Sequence, residues 1–287
     1  MVTESNPTEV NKLLFKALGR LGELLTFYVV PIMKDDHQGY PSAIGTGLLI
    51  KHLGRPYIVS AGHVFNHIND GNLYFYSKPQ MKRFLVGTGL RDPNVARVGA
   101  LPLIADVGLI ALTAPDAPLE LNGRGCLPAD RLLDAPNSEI TNAAPDHRFF
   151  VTGFPSTKTV LKRKLQLINS APFGILSQEV DAHTYRAVKL DPAIFLILRL
   201  EGKFLRPSGQ RSQIPKLNGM SGSPIWLLRA EGQRDQDEDF SVTAITTEHW
   251  KEKGLIISVR VGSIHRLLRE STELHTSLDL SGHYFGH

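Results

Sequence analysis

Apolar residues along most of this chain come in short runs separated by glycine, proline, aspartate and asparagine. Runs of this length, bounded by turn residues, predict strands rather than helices. A first set covers Thr26–Ile32, Gly47–Lys51, Tyr57–Ala61, Asn72–Tyr76 and Val107–Leu112. A second covers Arg148–Gly153, Leu165–Ile168, Tyr185–Lys189, Ile194–Leu198, Ser223–Leu228, Phe240–Thr246 and Leu255–Val259. The stretch between the sets is rich in Pro, Ala, Asp and Asn. Many short strands with turns between them imply a sandwich or barrel.

The pattern differs at the two ends. Leu13, Leu14, Ala17, Leu18, Leu21 and Leu24 recur at helical spacing behind Ser5, Asn6 and Pro7, which can cap a helix. They predict an N-terminal helix over Thr8–Leu24. Ile264, Leu267 and Leu268 predict a C-terminal helix, followed by polar residues. The expected division is a helical extension over 1–25, a first unit over 26–113 and a linker over 114–146. A second unit with the C-terminal helix covers 147–270, and a polar tail covers 271–287.

With 287 residues, 42% hydrophobic and 21% charged, the composition is that of a globular protein and excludes disordered and fibrous classes. The single cysteine, Cys126, rules out an intrachain disulfide and favours a reducing compartment. Met1 to Pro7 is polar and carries Glu4, unlike a secretory leader. Leu24–Met33 is too short to span a bilayer and contains Pro31. The expectation is a soluble, cytoplasmic protein. The net charge of +4 is concentrated at 158–164 and 206–216. These clusters read as solvated loops, because no nucleic-acid motif accompanies them; neither nucleic acid nor membrane is expected as a partner.

Three segments carry candidate chemistry. In Gly219-Met220-Ser221-Gly222-Ser223-Pro224, two glycines flank a serine ahead of an apolar strand. Glycines let the backbone turn tightly, exposing Ser221 as a nucleophile. The N–H groups of Gly219 and Ser221 can then face an oxygen that becomes negative. In Tyr57–Val64 an apolar strand ends in small residues and His63. A serine hydroxyl holds its proton tightly at neutral pH, and imidazole is suited to take it. Asp106 opens the apolar run Val107–Leu112, and a carboxylate buried at the head of that strand is held rigidly enough to fix the tautomer of an imidazole. Asp92 and Asp70 are rival acids, but neither introduces an apolar strand. His63 and His67 have helical zinc-ligand spacing, yet no glutamate of the H-E-x-x-H kind stands between them. No metal and no cofactor is expected.

The order His, Asp, Ser resembles that of the trypsin- and chymotrypsin-like serine peptidases, of the compact bacterial intracellular sort. Ser60-Ala61-Gly62-His63 is similar to the family's T-A-A-H, and Asp106-Val107-Gly108-Leu109 to D-I-A-L. Gly219 to Pro224 is similar to G-D-S-G-G-P, and Gly45-Thr46-Gly47 to the glycine-rich segment ahead of the histidine strand. The resemblance covers about Thr26 to Leu268. It implies an all-β fold of two antiparallel six-stranded barrels, with the N-terminal and C-terminal helices added. It implies a His63–Asp106–Ser221 triad acting on protein or peptide substrates through an acyl-enzyme. A silent protease-fold scaffold and an esterase or acyl transferase are the alternatives. Val242–Thr247 resembles one wall of the substrate pocket, with the Thr247 hydroxyl touching the catalytic aspartate. Glu248, His249 and Gly254 then fall among substrate-binding positions. Met220 stands where secreted zymogens have an aspartate that pairs with a freed N-terminus. Activity without N-terminal trimming, or gating by a regulatory protein partner, is therefore expected.

Overall fold

The computed structural model describes residue 22 and residues 25–67, 73–77, 82–87, 105–112, 125–133, 148–162, 167–200, 203–205, 211–228 and 240–281. The expected N-terminal helix lies outside these residues, apart from Gly22, which is helical.

The chain is mostly β, in two curled antiparallel sheets. The first contains β1 (Val29–Asp35), β2 (Pro41–His52), β3 (Arg55–Ala61), β4 (Leu73–Ser77), β5 (Lys82–Gly87) and β6 (Val107–Ala111), in the order β5-β4-β1-β2-β3-β6. A short β7 (Leu127–Pro128) pairs with β2 in parallel. The second sheet draws on β8 (Arg148–Gly153), β11 (Phe173–Ser177), β12 (Phe195–Arg199), β15 (Pro224–Leu228), β16 (Phe240–Trp250) and β17 (Leu255–Arg260), in the order β11-β8-β15-β16-β17-β12. Two hairpins stand apart, β9 (Thr159–Lys162) with β10 (Leu167–Ser170), and β13 (Lys203–Leu205) with β14 (Arg211–Gln213). Among the described residues, the α-helices with both ends defined are α1 (Gly62–Asn66), α2 (Ala182–Val188) and α3 (Gly262–Ser281). Among the described residues no helix is long and apolar enough to cross a membrane.

Alternation along the strands sorts most of the described core into three clusters, with two smaller ones beside them. Val30, Ile32, Leu49, Ile58 and Phe75 fill the first sheet's own core. Val151, Ile175, Leu196, Ile225 and Ile256 fill the second's. Leu48, Ile50, Val59 and Leu109 of the first sheet meet Trp226, Val242, Ile245 and Val259 of the second. The shared seam burying these side chains holds the two sheets together, as expected for the dominant apolar term. Helix α3 seals it with Ile264, Leu267 and Leu268, packing on both β6 and β17.

Several elements differ from expectation. Tyr185–Lys189 is not a strand but the end of α2 and its cap. The Asp181 carboxylate accepts the Thr184 N–H at 2.7 Å, and Lys189 closes the helix at φ 58. This N-cap and left-handed C-cap outweigh the β-like look of Tyr185 and Val188. Tyr185 is then held on the sheet by Glu179, which also pairs with Arg260 at 2.6 Å. Helix α3 runs to Ser281, well into the stretch expected to be a polar tail. The described part of the expected linker, 125–133, pairs with β2 and bridges to Val242 of β16, so it is tied to both sheets.

Candidate active site

The apolar strand β3 ends at Ala61, and the chain turns at once into α1, which carries His63. This one-turn helix is pinned by Asp106, just ahead of β6. The Gly62 N–H donates to the Asp106 carbonyl at 3.0 Å, and the His63 N–H donates to Asp106 Oδ1 at 2.8 Å. His63 Nδ1 lies 2.5 Å from Asp106 Oδ2. One carboxylate therefore grips both the backbone and the ring of His63. An ionised carboxylate only accepts, so the Nδ1 proton faces it and Nε2 keeps a free lone pair. Gly62 makes room for this grip: a Cβ there would lie 2.8 Å from Asp106 Oδ1.

The pair is not deeply buried. The side chains of His63 and Asp106 are 46% and 37% exposed. The expectation of a buried carboxylate fails here; two hydrogen bonds from one residue supply the rigidity instead. The Asp106 hydrogen bond raises the His63 pKa above its ordinary 6.5, partial burial opposes it, and the charges of Asp106 and Glu248 add to the rise. A general base must be neutral to act. The acid limb of kcat/KM is therefore expected above pH 6.5, and Glu248→Gln should move it down slightly; a pH–rate profile checks both. For stability the sign is opposite to a depressed carboxylate. The His63–Asp106 contribution is fully present below the unfolded value near 6.5 and is lost as pH rises through the folded value.

Ser221 lies in the tight turn ahead of β15. The Met220 N–H donates to the Leu217 carbonyl and the Ser223 N–H to the Met220 carbonyl, both at 2.9 Å. Gly219 and Gly222 take φ values of 88 and 89, which only glycine adopts without strain. Among the described residues no acceptor takes the N–H of Gly219 or of Ser221. Both donors are available to a carbonyl oxygen becoming negative. The Ser221 hydroxyl donates to the Thr247 carbonyl at 3.4 Å. Met220 is 3% exposed and packs in the second core, its sulfur accepting the Ser223 hydroxyl at 3.8 Å.

The turn is docked on the first sheet beside α1. The Ser221 carbonyl accepts the Thr46 N–H at 2.8 Å. A Cβ at Gly45 would meet Val64 of α1 at 2.6 Å and the Ser221 carbonyl at 3.2 Å. A Cβ at Gly222 would lie 2.0 Å from the Thr46 carbonyl and 2.1 Å from Ser60 Oγ. Gly222→Ala thus meets both a forbidden φ and an occupied space. It should cost on the order of 3 kcal/mol, lowering Tm by roughly 10 °C; calorimetry reads this directly.

The other expected site residues scatter in role. The Thr247 hydroxyl donates to the Ile257 carbonyl at 3.3 Å and not to Asp106. The reason is the β16 bulge between Thr246 and Glu248, which changes the register against β17 at Thr247. The second hydrogen bond on Asp106 comes from the His63 backbone instead. Glu248 is exposed, accepts from the Trp250 indole at 2.7 Å and acts electrostatically on His63. His249 is half-buried, and its pKa is lowered by burial and by Lys251. Gly254 closes the β16–β17 hairpin at φ 61, with its carbonyl accepting from Leu200. Asp70 and Asp92 lie outside the described residues. Thr46, within the glycine-rich segment ahead of the histidine strand, contacts the serine turn although the motifs do not single it out; its sequence signal is a hydroxyl between two glycines. A scan against models of known protein families finds no match, and neither does a comparison with curated proteins.

Proposed function

We propose that the chain is a chymotrypsin-like serine endopeptidase acting on protein or peptide substrates in the cytoplasm. The observation that carries this reading is the two-point grip of Asp106 on His63, at 2.8 and 2.5 Å, beside a serine turn with two open N–H donors. Ser221 Oγ attacks the scissile carbonyl while His63 Nε2 takes its proton. The Gly219 and Ser221 N–H groups receive the oxyanion. His63 then returns the proton to the leaving amine, and water releases the acyl group by the reverse sequence. Asp106 holds the ring in the one tautomer that can do this and stabilises the imidazolium.

The bond from the Ser221 hydroxyl to the Thr247 carbonyl favours a second reading, a protease fold that binds without turnover. For attack, the hydroxyl must leave that long bond for His63; catalytic hydrogen bonds often tighten only when substrate is bound. Digesting a diverse peptide mixture with wild type and Ser221→Ala, read by mass spectrometry, separates the readings. New termini with wild type alone support the peptidase. Ester hydrolysis without peptide cleavage would leave an esterase, and neither would leave the scaffold.

A further inference from the structure

Thr46 lies on β2, fully buried, and every polar group it has is used. Its N–H donates to the Ser221 carbonyl at 2.8 Å, and its carbonyl accepts the Ser60 hydroxyl at 2.7 Å. Its hydroxyl donates to the Gly219 carbonyl at 2.8 Å and accepts the Phe154 N–H at 3.0 Å. The two carbonyls held by this one residue belong to the same two residues whose N–H groups are open. Two residues beyond Phe154, the Ser156 N–H donates to the Asn218 carbonyl at 2.7 Å. That carbonyl shares a peptide plane with the Gly219 N–H, and planarity makes the two point in opposite directions.

We propose that the Thr46 hydroxyl is a positioning group for the oxyanion-binding turn, an inference that rests on the serine peptidase reading. It fixes the plane after Gly219 directly. It fixes the plane before Gly219 through the 154–156 segment, which its Phe154 bond anchors. Gly219, at φ 88, has little intrinsic barrier to rotating either plane. With both held, the Gly219 N–H stays aimed with that of Ser221 at one point. The Thr46 side chain touches neither substrate nor His63; it acts through the turn.

Thr46→Val keeps the branched shape and removes the hydroxyl, leaving the part-buried Gly219 carbonyl and the buried Phe154 N–H without their partner. Thr46→Ser keeps the hydroxyl. Thr46→Val should lower kcat about 100-fold, the scale of one lost oxyanion donor, with KM changed less than about threefold. The acid limb of the pH profile should not move, because the Asp106 grip on His63 is untouched. Affinity for a peptide boronate, which forms a tetrahedral adduct on Ser221, should fall in parallel with kcat/KM. Thr46→Ser should recover to within about tenfold of wild type. If Thr46→Val does not fold, Thr46→Cys, with its weak thiol donor, should fall between the Val level and wild type. A Val or Cys variant with wild-type kcat, or one whose boronate affinity stays at the wild-type level while kcat/KM falls, overturns the inference with the peptidase reading intact. A wild-type protein that hydrolyses nothing and takes no boronate overturns both.

Discussion

Ser221→Ala is expected to lower turnover on the order of a million-fold, the loss seen when a triad acts as a unit. The size follows from where the hydroxyl stands. Among the described residues, it is the hydroxyl on the serine turn that is not fully buried, beside the open N–H groups of Gly219 and Ser221. No neighbouring group replaces it, since Ser223, two residues on, is fully buried against Met220. Folding should be nearly unaffected. The hydroxyl contributes one long bond, 3.4 Å to the Thr247 carbonyl, and the backbone bonds that shape the turn do not involve it. A stability change within about 0.5 kcal/mol is the expectation for such a site. Stopped-flow kinetics on an activated ester, with a thermal melt of the same sample, checks both parts. A variant that keeps more than a thousandth of wild-type turnover would place the chemistry elsewhere.

Asp106→Asn should cost about ten-thousand-fold in turnover, the scale at which a triad carboxylate is replaced by its amide. The geometry says why the amide cannot adapt. Oδ1 accepts the His63 backbone N–H, which is always a donor, so the amide oxygen must take that place. The amide NH2 is then left facing His63 Nδ1, where Oδ2 had stood at 2.5 Å. It can only donate there, so the imidazole proton moves to Nε2, the atom that must accept from Ser221. The backbone anchor survives, and the fold with it. The acid limb should also fall, because the largest cause of the raised His63 pKa is removed. Asp92→Asn and Asp70→Asn should each lose less than about tenfold, because neither acid introduces an apolar strand. Acylation rates for the three variants on one ester decide the matter. A near-wild-type Asp106→Asn beside a collapsed Asp92→Asn would reassign the third member.

Much of the fold was legible because its signals are local. Tyr57–Ala61 and Leu255–Val259 are apolar runs broken by one serine each, and both segments are buried in strands paired on both sides. The glycines at 219 and 222 marked a turn needing positive φ, and they take it. Other features were hidden for physical reasons. Helix α1 has five residues, too few for a helical period to register, yet it presents His63. Helix α2 looked like a strand because its caps, Asp181 and Lys189, are single polar residues that periodicity ignores. The role of the Thr247 hydroxyl turned on a one-residue bulge, and register shifts leave no mark in a pattern of apolar positions. Asp106 was picked out by its place at the head of a strand, but through an expectation of burial. What holds it is a pair of bonds to one residue 43 positions away, and no reading of spacing shows a contact of that range.

Reaction of the intact protein with a fluorophosphonate probe, followed by peptide mapping, tests the central claim most directly. The probe phosphonylates a serine that has a working base and an open oxyanion site. Wild type should carry the label on Ser221, and His63→Ala should carry almost none. Label recovered on another serine with Ser221 unmodified, or none on wild type at all, would contradict the account.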